Sequence, residues 1–181
     1  MNVWHDIDID RIKPEKFLAV IEIPKGSKMK YELDKETGRL LLDRVLYTST
    51  HYPANYGFIP KTLAEDQDPL DVLVLCQEKI EPLCLVECTP IGVVKMNDKN
   101  RSDEKIIAVC SKDPSINVYK DIKELPQHTL DEIRHFFSVY KQLEHTPIEM
   151  TGEGGHEKAE EIIKKAIKRY RDTFQKKIIN I

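Results

Sequence analysis

Over the first two thirds of the chain, apolar and polar positions alternate with period two and are broken at short intervals by turn residues, a pattern that predicts a succession of β-strands. The runs are FLAVIEI (17–23), KMKYEL (28–33), RLLLDRVLY (39–47), DVLVLC (71–76), CLVECTPIGVVKM (84–96) and KIIAVC (105–110), separated by PKGS, DKETG and proline-bearing loops. Their connections carry no helical pattern. Antiparallel pairing is therefore expected, since parallel neighbours need long crossovers, usually helical ones. Helical spacing appears late: Thr129 and Glu132 form a capping-box pair, and Leu130, Ile133, Phe137 and Tyr140 recur on one face to about residue 143. The glycine cluster TGEGG (151–155) precedes a second stripe of Ala159, Ile163, Ala166, Tyr170 and Phe174, which predicts a C-terminal helix. No repeat or low-complexity linker divides the 181 residues, so one domain over 1–181 is expected. The predicted fold class is α+β: a small closed antiparallel β-barrel of the OB-like kind, flanked by two helices.

Composition narrows the function. With 28 Lys+Arg against 31 Asp+Glu, the net charge of −3 lacks the electrostatic footprint of a nucleic-acid binder. Apolar runs such as VLVLC and IIAVC reach no more than five residues, far below the roughly 20 needed to cross a bilayer, and MNVWHDIDID has no signal-peptide pattern. A cytoplasmic protein is expected. Cys76, Cys84, Cys88 and Cys110 sit in strand-like stretches without zinc spacing and are expected to be reduced, packed thiols. The sequon at Asn100 has no consequence in that compartment.

The densest chemical signal is DQDPLD (66–71), three aspartates in six residues. It is not an EF-hand loop, because Pro69 takes the fourth position, the third Asp is sixth rather than fifth, and Gln77 stands where Glu is needed. Taken alone, the hexamer fits either a solvated acidic turn or a hard-cation site. Asp98 and Asp103 form a second acidic cluster beside Lys105. If the barrel joins the two, four or five oxygen ligands suit Mg²⁺ or Mn²⁺ rather than zinc. Alternation sets Lys30 and Glu32 on one face, with Glu22 on the strand before and Arg44 on the strand after. Tyr52 and Tyr56 lie in the loop-like HYPANYGF, and Tyr140 and Lys141 close the first helix. Surface ion pairs and structural tyrosines account for each of these singly. Together they suggest a shared concavity.

Five segments in order, IEIPKGSKMKYELDKETG, HYPANYGFIP, DQDPLDVLVL, GVVKMNDKNRSDEKIIAV and HFFSVYKQLE, resemble the soluble inorganic pyrophosphatases of family I, short bacterial type, from about residue 17 to 145. The resemblance implies Mg²⁺-dependent hydrolysis of pyrophosphate to two phosphates, with Mn²⁺ or Co²⁺ as substitutes, several ions per site and a homohexameric assembly. It assigns Asp66, Asp71 and Asp103 to metals that activate water, and Asp98 with Asp103 to a further metal. Asp68 becomes the proton acceptor. Glu22 is implied near a metal that arrives with substrate, and Glu32 in a water-mediated shell. Lys30, Arg44, Lys105, Tyr140 and Lys141 are implied to hold phosphate oxygens, and Tyr56 to orient the nucleophile or the acceptor. Seven carboxylates against four cations in that set leave three negative charges, which metal binding would reverse. No serine or cysteine nucleophile motif and no Walker-type loop is present, so direct attack by water is favoured. Two positions depart from the pattern. Gln67 stands where a glycine is usual, at a cost of about 1–2 kcal/mol if the position needs positive φ. His156 stands where Trp is common, with a consequence expected for packing or subunit contact only.

Overall fold

The computed structural model describes residues 2–98 and 101–175. Among the described residues nine strands form: β1 (Ile12–Lys13), β2 (Lys16–Ile23), β3 (Met29–Leu33), β4 (Leu40–Val45), β5 (Asn55–Ile59), β6 (Leu70–Leu75), β7 (Leu85–Asp98), β8 (Arg101–Cys110) and β9 (Glu149–Gly155). Seven of them make one sheet in the order β1-β2-β5-β6-β8-β7-β9, and a further β2–β7 pairing returns the hydrogen bonding to its start. The result is a barrel-like ring of β2, β5, β6, β8 and β7. Helices α1 (Gln127–Val139) and α2 (His156–Tyr170) flank it. The OB-like α+β expectation is met.

Three details of the expected architecture are corrected. The β6–β8 pairing is parallel. Its crossover is the long strand β7 rather than a helix, so the absence of a helical segment did not exclude a parallel neighbour. Second, β3 and β4 form a separate two-stranded sheet outside the ring. Third, three strands form where none was expected, the shortest being the two-residue β1. HYPANYGF supplies β5, buried along its whole length, and the glycine cluster supplies β9 on the edge of β7. Gly57 explains how β5 fits: a Cβ there would lie 1.8 Å from the Val20 carbonyl oxygen, so only glycine lets β2 and β5 approach.

The helix ends also differ from expectation. Pro126, not Thr129, occupies the N-cap of α1, without a side-chain cap, and Thr129 lies inside the first turn. Proline presets the entry dihedral, and the Thr129 N–H donates to the Pro126 carbonyl at 2.9 Å. The α-helical turns stop at Val139, followed by a 3-10 turn at Gln142–Glu144. The predicted faces are otherwise correct, since Leu130, Ile133, Phe137, Tyr140, Ala159, Ile163, Ala166 and Tyr170 are all buried. Phe174 lies beyond α2 in a π-helical turn, partly exposed, with its ring 5.5 Å from that of Trp4. His156 opens α2, and its backbone N–H donates to Asp121 at 3.0 Å. All four cysteines are free, but Cys84 is exposed rather than packed. Asn100 lies outside the described residues.

Candidate active site

Strand register builds the floor of a cleft. Asp71 on β6 stands beside Lys105 on β8, and Lys105 and Asp103, two apart, share a face. The partners of Lys105 and Asp103 on β7 are Val94 and Met96, so Asp98 follows on the same side. On the other flank Phe58 faces Asp71, and Tyr56 lies two residues before it. Four residue types from four strands are thus delivered to one surface by alternation alone.

Two bulges add what alternation cannot. The β2–β5 register shifts between Ile21 and Ile23, leaving Glu22 as the extra residue, and its carboxylate turns inward to accept the Leu33 N–H at 2.7 Å. The β3–β4 register shifts between Lys30 and Tyr31, leaving Asp43 unpaired on β4 between Leu42 and Arg44. Asp43 accepts from Lys30 at 3.3 Å and also from Arg44.

A cleft of about 230 Å³ is lined by Glu22, Lys30, Glu32, Asp66, Asp68, Asp71, Asp103, Lys105, Lys141, Tyr52, Tyr56 and Tyr140. Eleven of the thirteen expected site residues therefore meet there, together with Tyr52. The other two adjoin it. Asp98 accepts from Lys141 at 2.7 Å, and Arg44 shares Asp43 with Lys30 while its Nε donates to Glu144 at 2.9 Å. Sequence reasoning missed Lys35, Asp43 and Glu144. Lys35 sits in the DKETG turn, where no strand alternation aims a side chain, and Asp43 owes its direction to a bulge.

In this cleft the carboxylates are met by lysines. Lys105 donates to Asp71 at 2.5 Å and to Asp103 at 2.9 Å, Lys35 pairs with Asp68, and Lys30 pairs with Glu32. Among the described residues no set of three or more His, Cys, Asp or Glu side chains is gathered closely enough to cage an ion as it stands. The electrostatics combine burial with the charges of neighbouring groups. Burial, and then repulsion from Asp71, push Glu22 up to about 8. Burial also raises Asp71 despite the attraction of Lys105, and raises Asp66. Burial would lower Lys105, but Asp71, Tyr56 and Asp103 outweigh it and hold the ammonium well above its ordinary range. One oxygen of Asp98 is buried without a hydrogen-bond partner, as is the side-chain oxygen of the neighbouring Asn97. An orphaned carboxylate oxygen beside an all-oxygen donor set fits a hard divalent cation.

Aromatic rings wall the cleft. Tyr52 lies 5.3 Å from Tyr56 and 4.7 Å from Phe136, which stacks on Tyr140 at 5.2 Å. Burial raises all three tyrosines, so their hydroxyls remain protonated donors. Beside Asp71, the Tyr56 hydroxyl partly offsets the effect of burial on that carboxyl. In the acidic hexamer, Gln67 has φ +74°, the left-handed conformation that glycine accepts without strain. The Asp68 N–H donates to Asp66 at 3.0 Å, and the Asp68 carbonyl accepts from Ala64 at 2.7 Å, so the strained residue lies inside a braced turn.

An OB-like barrel whose mouth mixes buried carboxylates, ammonium groups and tyrosine hydroxyls defines a class built to handle a multiply charged anion. Comparison with known proteins makes the class specific: residues 19–171 match the family model described as inorganic pyrophosphatase. The chain belongs to the inorganic pyrophosphatase family. It is 47% identical over 171 residues to soluble inorganic pyrophosphatase 2 of Chlamydomonas reinhardtii, covering 94% of this chain and 89% of that one. With a soluble inorganic pyrophosphatase of Oryza sativa subsp. indica it shares 54% identity over 145 residues, covering 80% of this chain and 68% of the other. The solved inorganic pyrophosphatase from Thermus thermophilus superposes with a TM-score of 0.90 at 38% identity, covering 94% of this chain and 99% of that chain. Among the described residues no helix is long and apolar enough to cross a membrane.

Proposed function

We propose that the cleft hydrolyses inorganic pyrophosphate to two phosphates by direct in-line attack of water, and that it requires Mg²⁺, with Mn²⁺ or Co²⁺ able to substitute. The observation that carries this reading is the meeting of carboxylates and ammonium groups in one small space, a surface suited to a polyanion only when divalent cations balance the acids. Asp66, Asp71, Asp98 and Asp103 are the oxygen ligands for several ions, with Glu22 and Glu32 at the edge of the set. Bound Mg²⁺ supplies charge relief to phosphoryl oxygens and a lower pKa to water.

The chain's own groups do the rest. Asp68, half-exposed at the cleft edge, takes the proton of the attacking water. Lys30, Arg44 and Lys141 hold phosphate oxygens, Arg44 as a planar fork and the lysines as point charges. Lys105 spends two of its three donors on Asp71 and Asp103 and keeps the third for phosphate. Tyr140 donates its hydroxyl to the same group, and Tyr56 orients the reacting edge through Asp71. Among the described residues the lining holds no serine, threonine or cysteine, which favours attack by water over a covalent intermediate.

The whole chain works as one domain, in the cytoplasm, as a homohexamer. Four free thiols suit a reducing compartment. The exposed apolar side chains Leu41, Leu42, Val45 and Tyr47 on and just after β4 suit subunit contact.

Phosphate release from pyrophosphate, ATP and a phosphate monoester across a Mg²⁺ titration tests the reading. Release from pyrophosphate that depends on Mg²⁺ and exceeds the other two is expected. Inactivity with Mg²⁺, Mn²⁺ and Co²⁺ alike would overturn it. In the same titration, Gln67→Gly is expected to reach half-maximal activity at a few-fold lower Mg²⁺, because relief of about 1–2 kcal/mol of strain lets the Asp66–Asp68 turn settle around its ligands. Identical curves would show that the positive φ at Gln67 has no bearing on metal affinity.

A further inference from the structure

We propose that Lys35 is a positioning residue of this cleft, holding the Asp68 carboxylate in place, and that the N-terminal segment is the clip that keeps Lys35 there. The inference rests on the reading of Asp68 as proton acceptor. Lys35 lies at the tip of the β3–β4 hairpin, in a turn closed by the Asp34 N–H on the Arg39 carbonyl at 2.8 Å and the Gly38 N–H on the Asp34 carbonyl at 2.7 Å. A lysine on such a tip is ordinarily a free solvated chain. Here it is held at both ends. Its carbonyl accepts the Asn2 side-chain amide at 2.9 Å, and its ammonium lies 5.7 Å from the centre of the Trp4 ring while pairing with Asp68.

Trp4 is in turn anchored at the base of the acidic loop. It is buried, its indole N–H donates to the Thr62 carbonyl at 2.9 Å, and its own carbonyl accepts the Lys61 N–H at 3.1 Å. The Thr62 hydroxyl accepts the Leu70 N–H at 2.9 Å, one residue before Asp71. Three segments that lie far apart in sequence thus converge: the N-terminal residues, the hairpin tip and the loop that carries Asp66 and Asp68. Both partners of the Lys35–Asp68 pair are about half-exposed, so the pair adds little stability. What it supplies is orientation. An ammonium on one carboxylate oxygen selects a rotamer and leaves the other oxygen for the proton of water.

A double-mutant cycle tests this. In an otherwise unchanged protein at saturating Mg²⁺, Lys35→Ala is expected to lower kcat about tenfold with KM changed less than about twofold, and Lys35→Arg to restore most of the loss. In the Asp68→Asn background, Lys35→Ala is expected to cost less than about twofold, because the group it positions is gone. The thermal midpoint should not move, and a crystal structure of Lys35→Ala should show the Asp68 carboxylate in another rotamer. Equal losses in both backgrounds, a rise in KM with kcat intact, or an unmoved Asp68 would each overturn the role of Lys35. Failure of the unsubstituted protein to hydrolyse pyrophosphate would instead overturn the reading of the site on which it rests.

Discussion

Asp68→Asn is expected to lower kcat for pyrophosphate by about 10²–10⁴-fold, the span that general base catalysis by a positioned side chain supplies. Asparagine keeps the shape of the carboxylate and loses its basicity. The loss therefore falls on proton removal and corresponds to about 3–5 kcal/mol of transition-state stabilisation. Stability is expected to change little, for a physical reason. The Asp68 side chain is 53% exposed and its ion pair with Lys35 is a surface pair, worth about 0–1 kcal/mol. Phosphate release and a thermal melt on one preparation separate the two quantities. An undiminished kcat would remove Asp68 from its role and leave the hydrolysis itself standing.

The contrast between Asp68 and the buried half of the cleft also shows what could be read before folding. DQDPLD and the paired acids of β7 and β8 were legible because their chemistry is packed into short stretches, and strand alternation then put Asp103 and Lys105 on one face. The helical stripe through Leu130, Ile133 and Phe137 was legible for the same reason, since its period survives any detail of capping. What escaped detection depends on contacts between distant segments. β5 contains asparagine and glycine, poor strand formers, and it is a strand because β2 can approach it only at Gly57. β9 is a glycine-rich edge that exists by pairing with β7. The parallel β6–β8 contact arises from the long course of β7, which carries no local sign of its partner. Bulges shift the reading frame of alternation by one residue, so the directions of Glu22 and Asp43 follow from register and not from their own neighbours. Glu22 was singled out on its strand and given a role through the resemblance, whereas Asp43 was not found at all.

Replacing Lys105 by methionine is expected to produce the largest loss of stability at this site. Lys105 is 4% exposed and bonds two carboxylates from neighbouring positions on the sheet, Asp71 at 2.5 Å and Asp103 at 2.9 Å. Methionine fills most of the volume, so the loss is one of charge and not of packing. Removing one partner of a buried ion pair leaves uncompensated charge and costs about 3–5 kcal/mol. At about 2–4 °C per kcal/mol for a chain of this size, the melting point of the metal-free protein should fall by roughly 10 °C at neutral pH.

The pH dependence identifies the cause. Asp71 is already raised by burial with Lys105 in place, and losing that cation raises it further. A carboxyl whose folded pKa lies above its unfolded value binds more protons in the folded state, so stability falls as pH rises from the unfolded value through the folded one. The deficit of Lys105→Met should thus be small near pH 4, where the carboxyl is protonated in the folded protein at little cost, and grow toward pH 7. A deficit of equal size at both ends would mean that the ammonium contributes through packing instead. Mg²⁺ then provides the link to function, because a cation that binds the folded state alone raises its stability by mass action. If Asp71 and Asp103 are metal ligands, millimolar Mg²⁺ should return several degrees of the lost melting point to Lys105→Met and fewer to the unsubstituted protein, where Lys105 already supplies positive charge between the same two acids.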